Sequence, residues 1–296
     1  MSTGTDQQKA QVVNAAIQEI SHIATLPEIT LKIIELVEDP SSTAQDLHKI
    51  ISNDPALCSR ILKVVNSSFY GLPGQIGSIN RAIVMLGLNA VKNIAIAASL
   101  AKLFRGGELT PSFAARDLWL HSVGTAAATK VMGDTLGFAL GDEAFLGGLI
   151  HDIGIMVEMQ YDRNKLIEVI EGLNIDENGV PQGSFLEREQ QIFGADHQEF
   201  GAALCEKWKF PANLKYVTGH HHDPMALPSE NRNLAAMIYV AERLVAGINP
   251  DAFRLDLPTL DLDPAVVDLL KLTPKAVEDV TNRLENEIKA VENMLS

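Results

Sequence analysis

The chain is poor in several things, and each scarcity excludes something. Aromatic residues are 5% of 296 while hydrophobic residues are 46%, so the core is made of Leu, Ile, Val and Ala. That mix suits packed helices better than a β-sandwich, which prefers β-branched and aromatic side chains. Cysteine is represented twice, by Cys58 and Cys205, without CxxC spacing. Each stands in an apolar, helical-looking segment, so buried free thiols in a reducing compartment are expected. Basic residues are outnumbered, 24 against 38 acidic, for a net charge of −14. An acidic surface repels nucleic acid and anionic lipid, and neither is expected as a partner. No run reaches the ~18 apolar residues of a membrane span. The richest, 93–103, is interrupted by Lys102, and residues 1–10 are polar with no apolar signal core. A soluble, cytoplasmic protein is the expectation. Strand alternation is missing too, and the one Asn-Gly pair, Asn178-Gly179, lies in a polar stretch rather than between β-branched runs.

What is present reads as helix nearly throughout. Asp54-Pro55, Thr110-Pro111, Asp263-Pro264 and Thr273-Pro274 each set a capping side chain before a proline at a first helical position. Leu31, Ile34, Leu36 and Val37 form one apolar face, Leu47, Ile50 and Ile51 a second, and Leu57, Ile61, Leu62, Val64 and Val65 a third. A long fourth helix is expected over 83–103, set off from the third by Gly71-Leu72-Pro73-Gly74. Gly106-Gly107-Glu108 reads as a linker into a second helical block, which runs from Pro111 to about Ala246 with a polar interruption at 172–183. An irregular connection over 249–263 leads to two closing helices over 264–296. In the last, Val277, Val280, Leu284, Ile288, Val291 and Leu295 recur three and four apart. That stripe docks on the body or on a second copy of the chain.

Six of the eight histidines fall between residues 121 and 222: His121, His151, His197, His220, His221 and His222. Each taken singly has an ordinary explanation. His121, in Leu118-Trp119-Leu120-His121-Ser122, suits a satisfied core histidine. His197 sits in a cap region where Asp196 is the better cap. His220, His221 and His222 end a helix, where imidazolium interacts well with the dipole. Glu242, inside Ile238-Tyr239-Val240-Ala241-Glu242, suits an ion pair with Arg243. The adjacent His151-Asp152, between Gly147-Gly148-Leu149-Ile150 and Ile153-Gly154, is costly to bury without hydrogen bonds or a metal. Together these residues offer the N and O donors that hold Fe, Mn, Ni, Zn or Mg.

The order His121, His151-Asp152, then a distant acid resembles the HD superfamily of metal-dependent phosphohydrolases. Further motifs resemble its HDOD family: Leu26-Pro27-Glu28, Ser52-Asn53-Asp54-Pro55-Ala56-Leu57, Val65-Asn66-Ser67-Ser68-Phe69-Tyr70-Gly71 and Ile79-Asn80-Arg81-Ala82-Ile83 with Leu86-Gly87. Trp119-Leu120-His121-Ser122, Leu149-Ile150-His151-Asp152-Ile153-Gly154, Asp196-His197-Gln198-Glu199-Phe200-Gly201 and Trp208-Lys209-Phe210-Pro211 extend the match. The resemblance runs from about residue 18 to about 246. It implies an all-α protein: a lead-in over 1–17, an N-terminal helical lobe over 18–105 packed on an HD-like bundle over 110–246, and a C-terminal helical extension over 247–296.

By that resemblance His121, His151 and Asp152 are the first metal ligands, and Glu242 stands where HD enzymes place an Asp. His197, His221 and His222 match the extra histidines of two-metal HD proteins. One or two divalent ions are implied, with Asp152 the natural bridge. Asp117, one helical turn before His121, could add a carboxylate. Asp152 and His197 are the catalytic candidates if the centre is active. The family implies a bacterial signal-transduction or regulatory module, so a protein that binds a signalling partner or nucleotide-type ligand is the first expectation. A working phosphohydrolase on a nucleotide or other phosphate ester is the second, and a helical assembly scaffold, a homo-oligomer through the last helix, the third. Three features weigh against the enzyme. Ile155 stands where HD-GYP phosphodiesterases carry Lys, and the Gly-Tyr-Pro motif is absent after His222. Glu242 replaces Asp. Lys215 and Arg243 are the nearest cations in sequence to grip a phosphate.

Overall fold

The computed structural model describes residues 4–20, 27–39, 41–67, 69–100, 108–110, 113–138, 140–176, 179–248 and 254–295. Five helices make the N-terminal lobe: α2 (Glu28–Glu38), α3 (Ala44–Ser52), α4 (Pro55–Val65), α5 (Ile79–Leu86) and α6 (Leu88–Leu100). Helix α6 is its centre, buried on every side from Ala90 to Leu100 and packed by α2, α4 and α5. Its one charged residue, Lys92, donates to the Leu36 carbonyl at 3.0 Å and to Ser42 Oγ at 2.9 Å.

The second lobe comprises α7 (Ala115–Leu136), α8 (Gly141–Ile150), α9 (Ile153–Tyr161), α10 (Arg163–Glu171), α11 (Phe185–Ile192), α12 (His197–Lys207), α13 (Ala212–His220) and α14 (Arg232–Ile248). Helices α15 (Pro264–Leu270) and α16 (Pro274–Leu295) close the chain, and the lobes meet where α6 lies on α8. Helix α1 (Gly4–Glu19) packs across to α9 and α12, where Lys9 pairs with Glu199 at 3.1 Å and Lys207 donates to the Ile17 carbonyl at 2.9 Å.

The helix starts follow local chemistry. Thr43, Asp54, Ser78, Asp162, Ser184, Asp196 and Asp263 each accept a first-turn amide through the side chain, and Pro55 and Pro264 follow two of them. Two sequence expectations need correction. Thr110 starts no helix: β1 (Glu108–Thr110) and β2 (Phe113–Ala114) pair as a small antiparallel hairpin, and α7 begins after it. The long fourth helix is two, α5 and α6, because Gly87 between them takes a φ of +90°, which ends α5.

Among the described residues no helix is long and apolar enough to cross a membrane. The apolar stripe of α16 is used within the chain. Val280 and Leu284, fully buried, join Ala128, Val131 and Met132 of α7 and Val245 of α14.

Candidate metal centre

The centre is assembled from five helical elements of the second lobe and one connection. His121 comes from the middle of α7. His151 and Asp152 form the turn between α8 and α9, so the dipeptide sits at a helix junction rather than inside a helix. That junction must lie deep, and glycines let it. A Cβ on Gly148 would stand 2.7 Å from the Ala126 Cα, and one on Gly154 would stand 1.8 Å from the His197 carbonyl oxygen. His197 opens α12, placed by an Asp196–Glu199 capping box. His221 and His222 follow α13, Glu242 lies in α14, and Asp256 comes from the connection before α15.

All seven metal-ligand candidates read from the sequence meet here. Asp152 stands at the middle. Its Oδ2 is 3.2 Å from His151 Nε2 and 3.6 Å from His121 Nε2, while its Oδ1 is 3.2 Å from His221 Nε2 and 3.7 Å from His197 Nε2. The ring nitrogens approach one another closely: His121 and His151 Nε2 at 3.1 Å, His197 and His221 Nε2 at 3.2 Å, His197 and His222 Nε2 at 3.1 Å. The side chains of His121, His151, Asp152, His197, His221 and Glu242 have no exposed surface, and that of His222 has 8%.

The far sides of three rings decide what the near sides can do. His151 Nδ1 donates to the Gly148 carbonyl at 2.8 Å, His221 Nδ1 to the Val217 carbonyl at 3.2 Å, and His197 Nδ1 to the Glu189 carboxylate at 2.9 Å. These acceptors fix the tautomer, so the neutral rings turn Nε2 lone pairs toward the centre. Lone pairs 3.2 Å apart repel unless a cation or proton lies between them. Two nitrogens bound at ~2.1 Å to one ion are about 3.0 Å apart at a right angle and about 3.4 Å at the tetrahedral angle. The separations fall in that window, and the donor set of imidazole and carboxylate could hold a metal ion. Two overlapping sets result: His121, His151 and Asp152, and Asp152, His197, His221, His222 and Asp256.

Electrostatics without a cation is strained. Burial pushes His151 down, but Asp152, Glu242 and the Gly148 carbonyl outweigh it and lift the ring to about 9. Burial and the His151 charge hold His121 down at about 4, and burial and His222 hold His221 at about 3. Burial raises Asp152, but the charge and contacts of His151 and His221 win and keep it well below the carboxylate range. Burial, then the Asp152 charge, pushes Asp256 up.

Glu242 reaches the centre, with Oε2 3.7 Å from His151 Nε2. Its Oε1 is held by Arg243, and burial outweighs that guanidinium to push the carboxyl up to about 8. Arg243 is itself fixed, bonded to the Tyr239 carbonyl and stacked 3.5 Å from the Tyr239 ring centroid. Lys215 is turned away onto Glu206 at the surface. His220 is part-exposed and stands outside both donor sets, which suits the helix-end role. Asp117 does not join the centre: its Oδ2 accepts the Ala114 amide at 2.7 Å and caps α7.

Three participants escaped the sequence reading. Asp256 places Oδ2 3.4 Å from His222 Nε2. Glu189 orients His197, and Glu158 faces Glu189 from α9; burial holds both acids well above the usual range, with the Glu189 charge adding to the rise at Glu158. The usable signal was an acid between apolar residues, as in Leu255-Asp256-Leu257 and Met156-Val157-Glu158-Met159.

A family model described as the HDOD domain matches residues 23–224. The chain is similar to an uncharacterized protein of Treponema pallidum (strain Nichols), 25% identical over 242 residues, which are 80% of this chain and 45% of that protein. It therefore spans under half the length of that curated relative. Among solved structures it is similar to an HDOD domain protein with unknown function from Geobacter sulfurreducens. The identity is 22% and the TM-score 0.77, covering 97% of this chain and 98% of that one. It is also similar to a candidate signal transduction protein from Marinobacter aquaeolei VT8. There the identity is 20% and the TM-score 0.74, covering 99% of this chain and 67% of that one. At these identities the two structures establish the shared fold.

Proposed function

The chain belongs to the HDOD domain family, and from that premise we propose that it is a regulatory protein built round a divalent-metal centre, acting by binding a signalling protein or a nucleotide-type ligand. The observation that carries the metal part is the convergence of the Nε2 atoms of His121, His151, His197, His221 and His222 on Asp152, with three of the rings fixed from behind. His121, His151 and Asp152 would hold one ion, and His197, His221 and His222 with the other Asp152 oxygen a second. A catalytic metal site keeps a position open for water or substrate. Here the ligands are buried and the buried Arg243 guanidinium beside them is committed to Glu242. Those two facts favour a binding role over turnover. The similarity to a candidate signal transduction protein agrees with it.

The test is metal content per chain by mass spectrometry, on untagged protein purified without chelator, beside His151→Ala. One or two metals in the native chain, and loss of at least one in the variant, is the expected result. Both proteins empty after incubation with Mn, Fe and Zn salts would sink the reading.

A second reading, a metal-dependent phosphohydrolase, is favoured by one observation: Asp152 offers one oxygen to each donor set, the arrangement of a two-metal site. Bound metal would lower the pKa of a coordinated water toward ~7. On this reading His121, His151 and Asp152 would hold one ion and Asp152, His221 and His222 the other, which leaves His197, backed by Glu189, to hold the phosphate or protonate the leaving oxygen. Hydrolysis of nucleotides or phosphate esters by Mn-loaded native chain but not by His151→Ala would establish it.

A further inference from the structure

Residues 254–263, the described part of the connection that leads into α15, hold no helix and are pinned at several points. Leu255 and Leu257 are buried, and the Leu257 amide donates to the Arg254 carbonyl at 2.9 Å, closing a turn. Further on, Tyr239 Oη donates to the Asp261 carbonyl at 3.5 Å and accepts the Asp263 amide at 3.3 Å. The turn drives Asp256 inward. Its side chain has no exposed surface, neither of its oxygens accepts a hydrogen bond, and Oδ2 faces His222 Nε2 at 3.4 Å. An acid buried beside a second acid, Asp152, without hydrogen bonds stays charged only where a cation joins them.

Resting on the metal reading above, we propose that Asp256 is a ligand of the ion held with Asp152, His197, His221 and His222, and that the connection carrying it shuts this ion away from outside anions. The other donors stand on helices or at helix ends of the second lobe, fixed by their packing. Asp256 comes from a longer non-helical segment than the short turns that hold His151, Asp152, His221 and His222, and that segment can lift without unwinding a helix. It lies beyond residue 224, outside the HDOD match. A phosphate-bearing ligand reaches the ion only by displacing the Asp256 carboxylate, so the hold of Leu255, Leu257 and Tyr239 on the connection sets access to the centre.

The experiment uses the full chain loaded with Mn(II), compared with Asp256→Asn, which keeps the side-chain shape, and Leu257→Ala, which keeps the carboxylate but loosens its anchor. Metal per chain, the rate of Mn release to EDTA, and paramagnetic broadening of the 31P line of inorganic phosphate are measured on samples of matched helical circular dichroism. Asp256→Asn is expected to release one metal about 100-fold faster and to broaden the phosphate line, which the native chain leaves sharp. Leu257→Ala is expected to keep the native metal content and release it about tenfold faster. If Asp256→Asn matches the native chain in content and release, Asp256 is not a ligand. If the native chain already broadens phosphate as strongly as the variant, the connection closes nothing. Either result leaves the metal reading standing, whereas a native chain that takes up no Mn, Fe or Zn overturns both.

Discussion

A neutral imidazole presents one lone pair, and whichever nitrogen holds the proton must find an acceptor elsewhere. His151, His197 and His221 meet this condition on Nδ1 with Gly148, Glu189 and Val217, which frees Nε2 for a cation. In the metal-free chain His151, lifted to about 9 by Asp152 and Glu242 against the effect of burial, carries a proton at neutral pH. A metal needs the deprotonated nitrogen, so that proton must leave when the ion binds. Affinity is therefore expected to fall about tenfold for each pH unit below about 9 and to level off above it. Calorimetry at pH 7 in two buffers of different ionisation heat should register about one proton released per ion bound at the His151 set. Uptake with no proton released would contradict the assignment of His151. The histidines and Asp152 were legible in the sequence because the chemistry of a ligand is a property of its residue type. Glu189 was not, since an acid among polar neighbours in a chain with 38 acids carries no mark of its destination, and the apolar neighbours of Asp256 mark a buried acid without saying what it meets.

At the scale of elements, the junction of α8 and α9 is deep because its flanking residues are small. Gly148 lies against the backbone of Ala126 on α7, and Gly154 against the backbone of His197 on α12. Gly154→Ala puts a methyl where the His197 carbonyl is, and backbone cannot swing aside as a side chain can. The substitution is expected to cost about 3 kcal/mol or more and to reduce metal content, since α12 must shift with His197 on it. Gly133→Ala on α7 is the control: its Cβ meets the flexible end of Met237 at 3.4 Å and the Phe138 carbonyl oxygen at an ordinary 3.9 Å, and it should change stability by less than about 1 kcal/mol. Urea unfolding of both, with metal analysis, checks the pair. Equal effects would mean that close backbone approach is not what limits the junction. Capping and proline signals placed the starts of α4 and α15 correctly, because a cap is a contact across three residues. The same signal failed at Thr110, where pairing with Phe113 prevailed over a helix start.

Across the whole molecule, the C-terminal helix braces the centre from behind. Leu284 of α16 is fully buried with α7 residues Ala128, Val131 and Met132, and α7 carries His121. Leu284→Ala is expected to destabilise the chain by about 2–5 kcal/mol, read as a lower Tm, with metal content retained. A Tm unchanged from the native value would place the stripe outside the core. Helix α1 adds a brace across the chain's length, its Lys9 meeting the Glu199 of the capping box that positions His197. The C-terminal stripe was plain in the sequence, and its partner was open between the body and a second copy. Packing on α7 and α14 supplied the answer within the chain.

The sequence by itself determined the helical class, the break at Gly71 to Gly74, the starts of α4, α15 and α16, and the seven candidate donors that the fold brings together. These rest on residue chemistry and on contacts three or four residues apart, which travel with the chain. Tertiary structure alone decided that Glu189 stands behind His197 and that Asp256 faces His222. The last contact joins a histidine at the end of α13 to an acid in the connection after α14. Contacts of that reach are set by how whole helices pack, and nothing in the local pattern at either end specifies them.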